Sequence, residues 1–121
     1  MEGKGSMREY ELELSFSKIK ISVTDVGKDR LILVLGGDKE HIGCTVLSLA
    51  RPSLSGGGQI SATSSVLNVT GHKDEEICRC LAEKLAIKER CTVVCTGGFH
   101  TDGIQKKQID ELMEKIFFFQ F

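Results

Sequence analysis

Between Tyr10 and Val69 the chain consists of runs of apolar, β-prone residues, and only after Gly71-His72 does the apolar spacing change to that of a helix. A chain ordered this way is expected to lay down most of a sheet first and then use a helix to bring in one more strand. Tyr10, Leu12, Leu14 and Phe16 alternate with polar residues, as do Ile19, Ile21 and Val23, with one slip of phase near Ser17-Lys18. That pattern fits either one long edge strand with a bulge or two short strands. Thr24 to Asp29 reads as a hairpin turn, and Arg30 to Leu35 as the continuous apolar run of a more central strand. Ile42 to Ala50 and Ile60 to Val69 are the next two strands. Between them, Arg51-Pro52-Ser53-Leu54-Ser55-Gly56-Gly57-Gly58 is expected to be a mobile loop. On the Ile60 to Val69 strand, Ser61, Thr63 and Ser65 share one face, which either is solvated or lines a pocket.

From about Lys73 to Glu89, Ile77, Leu81, Leu85 and Ile87, with Cys78, Ala82 and Ala86, make a helical stripe, and Asp74, Glu75 and Glu76 sit in the first turn, where they suit the helix dipole. Cys91 to Cys95 is a buried-type fifth strand, and Ile104 to Phe117 a second amphipathic helix with Ile109, Leu112, Met113 and Ile116 inward. The expected architecture is α/β, a mixed, largely antiparallel five-stranded sheet packed with two helices in the order β-β-β-β-α-β-α. Residues 1–9 read as a disordered leader and residues 10–121 as a single domain, long enough to bury a core without staples. The tail Ile116-Phe117-Phe118-Phe119-Gln120-Phe121 either packs on the chain's own core or forms a subunit interface.

Sixteen basic residues against 17 acidic ones leave no electrostatic footprint for nucleic acid or an anionic membrane surface. No apolar run approaches the ~20 residues of a spanning helix, so a soluble cytoplasmic protein is expected. The five cysteines, Cys44, Cys78, Cys80, Cys91 and Cys95, have no zinc-type spacing and read as free thiols in a reducing compartment.

Three turns carry the functional signal. Leu35-Gly36-Gly37-Asp38-Lys39-Glu40-His41-Ile42-Gly43, Thr70-Gly71-His72-Lys73-Asp74 and Thr96-Gly97-Gly98-Phe99-His100-Thr101-Asp102-Gly103 each follow a candidate strand, and each holds one of the three histidines near a glycine and an aspartate. If strands two to four form an antiparallel meander and the helix after His72 runs back, strand five is parallel to strand four and the three turns meet on one rim. That rim gathers Asp38, His41, His72, Lys73, Asp74, His100 and Asp102. Its glycines admit close backbone approach, the helix start offers free N–H groups to a phosphate or carboxylate, and Lys39 and Lys73 add positive charge. The candidate ligand-binding residues are Gly37, Asp38, Lys39, His41, Gly71, His72, Lys73, Gly98, His100 and Asp102. His41, His72 and His100 are also candidate ligands for a divalent metal, ranked below anion or cofactor binding. The bland alternative is turn chemistry and capping. There is no nucleophile elbow, phosphate-loop motif or dinucleotide fingerprint, and no catalytic residue is assigned.

At these residues the sequence resembles the prenylated-flavin chaperone (LpdD-like) family, itself related in fold to proteasome assembly chaperones. The resemblance rests on Gly36 to Gly43, on Ser65-Val66-Leu67-Asn68-Val69-Thr70-Gly71-His72-Lys73-Asp74-Glu75, and on Thr96 to Ile104, and it extends from about Tyr10 to Ile116. It implies an α/β protein, usually dimeric or larger, that binds prenylated FMN or FMN and assists its delivery to a UbiD-type decarboxylase. Glu40 and Thr101 depart from the family pattern, which has a proline or similar residue and an aromatic residue there, leaving Phe99 as the nearest ring for stacking on a flavin. The reading is a non-enzymatic, homo-oligomeric chaperone or carrier. Its rivals are a small histidine- or metal-dependent enzyme and a protein-only assembly factor.

Overall fold

The computed structural model describes residues 6–69 and 71–121. Six strands and two helices follow one another as β1 (Met7–Glu13), β2 (Lys18–Val26), β3 (Asp29–Gly37), β4 (Cys44–Pro52), β5 (Ile60–Asn68), α1 (Lys73–Glu89), β6 (Thr92–His100) and α2 (Lys106–Phe118). The phase slip near Ser17-Lys18 thus separates two strands, and the sheet has six strands where five are expected from sequence. β1 begins at Met7, within the stretch read as leader, because Met7 pairs with Thr24 in a full antiparallel register down to Glu13 with Lys18. Residues 1–5 and Thr70 lie outside the described residues.

The strand order is β1-β2-β3-β6-β4-β5. β6 enters between β3 and β4, parallel to the first and antiparallel to the second, so the expected meander through β3, β4 and β5 is replaced by a β1-β2-β3 meander and a β4-β5 pair flanking an inserted strand. The reason is burial. The β6 residues Val93, Cys95 and Phe99 are fully buried, and a centre position covers them better than an edge. Strand directions nevertheless agree with the expectation, since β3, β5 and β6 all run the same way. Their carboxyl ends and the start of β4 therefore share one edge.

One face of the sheet carries the core. Ile19, Ile21, Val23, Ile32, Val34, Cys44, Val46, Val93 and Cys95 meet the α1 side chains Ile77, Cys78, Leu81, Ala82, Leu85 and Ala86 and the α2 side chains Leu112 and Ile116. Each large aliphatic buried here contributes about 1.5–3 kcal/mol. α1 lies across β4, β5 and β6, while α2 and the tail cover the β1 side, where Ser15 N–H and Oγ donate to Glu111 at 2.7 and 2.6 Å. The tail divides its four rings. Phe119 and Phe121 pack edge-on against Tyr10 at 5.1 and 5.9 Å between centroids, whereas Phe117 and Phe118 are exposed. Lys84 Nζ holds the turn by donating to the carbonyls of Ile116 (2.8 Å), Phe117 and Phe119 (2.7 Å). Among the described residues no helix is long and apolar enough to cross a membrane.

Candidate functional site

At the end of β3 the chain turns on Gly37, whose φ of +84° and whose approach to the His100 carbonyl leave no room for a side chain: a Cβ would sit 1.9 Å from that oxygen. The tight turn lets Asp38 N–H donate to the same carbonyl at 2.6 Å. The Asp38 carboxylate in turn accepts from Asp102 N–H at 3.3 Å, and His100 Nε2 lies 2.9 Å from Asp102 Oδ1. The first and third turns are thereby laced together through backbone and carboxylates.

The second turn reaches them through Asp74, in the first turn of α1 and almost wholly buried. Its carboxylate accepts from Lys73 Nζ at 2.8 Å, from Phe99 N–H at 3.0 Å and from His41 Nε2 at 3.1 Å. Two further glycines make the space. A Cβ on Gly43 would lie 2.0 Å from Asp74 Oδ2, and one on Gly98 would lie 2.9 Å from both Asp74 Oδ2 and His41 Nε2. Burial by itself would raise the Asp74 pKa, but the Lys73 ammonium, the Phe99 N–H and His41 together hold it below the ordinary carboxylate value. Asp74 is therefore an anion, and His41 presents Nε2–H to it. His41 Nδ1 is buried and without a hydrogen-bond partner, as is the hydroxyl of Thr101. The His41 and His100 rings stand edge to face, 6.0 Å between centroids. Lys73 Nζ also donates to the Phe99 carbonyl, so one of its three N–H bonds remains for a ligand.

The structure thus brings Gly37, Asp38, His41, Lys73, Asp74, Gly98, His100 and Asp102 into one cluster at the carboxyl ends of β3 and β6. Gly71 and His72 stand apart. Both are exposed, Gly71 being tied to Asn68 through its carbonyl at 2.6 Å, and the His72 side chain caps nothing although the residue is the N-cap of α1. Lys39 is exposed beside the cluster. Among the described residues no group of three or more histidine, cysteine, aspartate or glutamate side chains is placed to hold a metal ion. The trio His41, His72 and His100 is not assembled as a ligand set, because His41 is committed to Asp74 and His72 sits on the exposed cap. The groove adjoining the cluster, lined by Lys18, Lys20, Leu35, Gly36, Gly37 and Glu40, holds about 180 Å³.

The site's hub is the residue whose role is hardest to read from sequence. Asp74, Glu75 and Glu76 all suit a helix start, and nothing in their spacing singles out the one that turns inward. Thr101 and Gly43 likewise gain a part in the site only through packing. The five cysteines are free, with Cys44, Cys78 and Cys95 buried. Burial raises the Cys44 thiol to about 11 and holds that of Cys95 well above its ordinary value, which leaves neither as a nucleophile at neutral pH.

A family model described as the prenylated flavin chaperone LpdD-like domain matches residues 15–117. No curated protein matches the chain. Among solved structures, a chain of a novel chaperone complex for yeast 20S proteasome assembly shares the fold, with a TM-score of 0.53 at 13% identity over 92% of this chain and 85% of that one. Residues 15–117 take in both laced turns, both helices and every strand but β1, and on that match the chain belongs to the prenylated flavin chaperone LpdD-like family.

Proposed function

We propose that this protein is a non-enzymatic chaperone or carrier that binds prenylated FMN, or FMN, on the glycine-and-histidine rim and assists maturation of a UbiD-type decarboxylase. The observation that carries the reading is the His41–Asp74–Lys73 array built on the buried Asp74: it is pre-set by three bonds to that one carboxylate, yet leaves His41 Nδ1 and the Thr101 hydroxyl without partners. A ring nitrogen and a hydroxyl, both still open to hydrogen bonding, suit the alternating N–H and C=O groups of a flavin's polar edge. Phe99 is buried under Gly36 and Phe16, so it supports the rim from below, and its ring is not available for stacking. The phosphate is assigned to Lys39 and to the remaining N–H of Lys73, with Gly71 and His72 at the outer margin. Gly37, Asp38, Gly98, His100 and Asp102 complete the contact surface. Free cysteines throughout suit a reducing compartment, and we place the protein in the cytoplasm.

The test is anaerobic purification after co-expression with a flavin prenyltransferase, followed by absorption spectroscopy and mass spectrometry. Stoichiometric prenylated flavin in the native protein, reduced at least tenfold in His41→Ala and in His100→Ala, is the expected result. A folded native protein that carries no flavin overturns it. The exposed pair Phe117 and Phe118 favours one second reading, a protein-only assembly factor docking its client through the tail. In that case Phe117→Ser/Phe118→Ser abolishes capture of the decarboxylase while His41→Ala leaves it unchanged.

A further inference from the structure

We propose that the outer edge of β5 takes up an extended, basic segment of a partner protein, which adds one more strand to the sheet. The inference rests on that edge and on α1 beside it, and stands whether or not the rim takes a flavin. β5 lies at the end of the sheet, with β4 as its neighbour on the inner side. Val69 N–H donates to the Gly43 carbonyl at 2.9 Å and Ser53 N–H to the Gln59 carbonyl at 2.7 Å, so the odd-numbered residues of this stretch turn their backbone groups toward β4. Alternation then turns the N–H and C=O groups of Ile60, Ala62, Ser64, Val66 and Asn68 outward, where no strand among the described residues meets them. The two edges of the sheet are unlike. β1 carries Arg8, Glu9, Glu11 and Glu13, charges that oppose pairing with a further strand. β5 runs for nine residues without a charge or a proline. One edge is thus protected, and the other is a template for strand addition.

Charge identifies the occupant. Residues directly opposite on paired strands point to the same face, so a residue paired with Ser64 sends its side chain to the helix side. There the Ser64 hydroxyl donates to Glu83 Oε2 at 2.6 Å and, its one proton so used, accepts from the buried Ser48 hydroxyl at 2.7 Å. Glu83 has no basic partner among the described residues, whereas Glu75 and Arg79, on the same flank of α1, are paired with each other. Glu83 also lines a groove of about 360 Å³ with Glu75, Glu76, Arg79 and Cys80, so that three carboxylates stand against one guanidinium. A lysine or arginine opposite Ser64 supplies the missing partner. On the open face Leu67 is 76% exposed beside Ser65 and Thr63, and it suits an apolar side chain at the alternate positions of the incoming strand. The partner is therefore a segment in which basic and apolar residues alternate. Acidic residues in the basic places would meet Glu75, Glu76 and Glu83 as like charges. A second copy of β5 would bring no charge and leave Glu83 unpaired.

The experiment takes the full chain and two fluorescein-labelled peptides of the length of β5, one alternating valine with lysine and one alternating valine with glutamate. Affinity is read by fluorescence anisotropy, and the docking place by amide hydrogen exchange in NMR. The lysine peptide is expected to bind about tenfold more tightly than the glutamate peptide. It is also expected to slow exchange at the Ala62, Ser64 and Val66 amides while leaving those of β1 unchanged. Glu83→Gln keeps an acceptor for the Ser64 hydroxyl and is expected to weaken the lysine peptide about fivefold. Ala62→Pro removes an outward N–H without breaking the ladder to β4, and should weaken it roughly tenfold or more. If the proline perturbs folding, Glu83→Gln and the exchange pattern still decide. No binding at about 1 mM, or equal affinity for the two peptides, overturns the proposal. So does protection that falls on β1, or a free protein in which a second copy already protects Ala62, Ser64 and Val66.

Discussion

Asp74 shows how one carboxylate organises a surface. Three donors from three different segments converge on it, and removing the charge leaves Lys73 and His41 facing a weaker acceptor in a buried place. Asp74→Asn is expected to cost about 1–3 kcal/mol in denaturant unfolding at pH 7. The pH dependence follows from the sign of the shift. The folded pKa is depressed, so the contribution is fully present above the unfolded value of ~3.9 and is lost as pH falls through the lower folded value. Native protein should therefore lose stability more steeply than Asp74→Asn in titrations below about pH 4. Gly37 is the other residue on which the rim depends. With φ at +84° and backbone 1.9 Å from any added Cβ, Gly37→Ala is expected to cost roughly 3 kcal/mol or more, read as a fall in melting temperature. Gly57→Ala, also at positive φ but in open space, should cost only about 1 kcal/mol.

At the scale of elements, α1 joins core and site. Its buried stripe of Ile77, Leu81 and Leu85 anchors it on the sheet, and its first turn delivers Asp74 and Lys73 to the rim. The helix ends on Arg90, which holds a left-handed conformation (φ 54°, ψ 56°) while Cys91 N–H donates to the Ala86 carbonyl. A side chain is a burden there, so Arg90→Gly is expected to be stabilising by about 0.5–1 kcal/mol in thermal unfolding, provided the relief of strain outweighs the added chain entropy. A decrease would show that the Arg90 side chain has a stabilising role. α2 starts with Gln108 Oε1 accepting from Gln105 N–H at 2.8 Å and ends where Lys84 collects the last carbonyls. Its two ends are thus held by side chains as well as by burial.

For the molecule as a whole, the sheet is covered on one side only, which explains both the inert thiols and the exposed leucines. Cys44 and Cys95 lie under α1 and Cys78 is on its buried face, and burial raises the thiols of Cys44 and Cys95. With a thiol reagent at pH 7.5, the native protein should label at the half-buried Cys80 and Cys91, and all five cysteines should react only after unfolding. Rapid labelling of Cys44 or Cys95 in the native state would mean that α1 lifts from the sheet.

The period of the apolar residues, by itself, located β3 to β6 and the two helices and left open whether the first stretch was one bulged strand or two; short turns and the helical crossover then implied the common direction of β3, β5 and β6, because pattern and turn chemistry are local properties. Direction alone was enough to bring Gly37, His41, Lys73 and His100 to one edge, so that part of the rim was legible even though the meander was not what formed. Only the tertiary structure decided that β6 inserts between β3 and β4, since a buried run pairs wherever it is best covered and its sequence does not name its neighbours. The same holds for Asp74, His72 and Phe99. Which of three adjacent acids turns inward, which histidine is left on an exposed cap, and whether a ring lines the rim or supports it from below are settled by what packs around each residue.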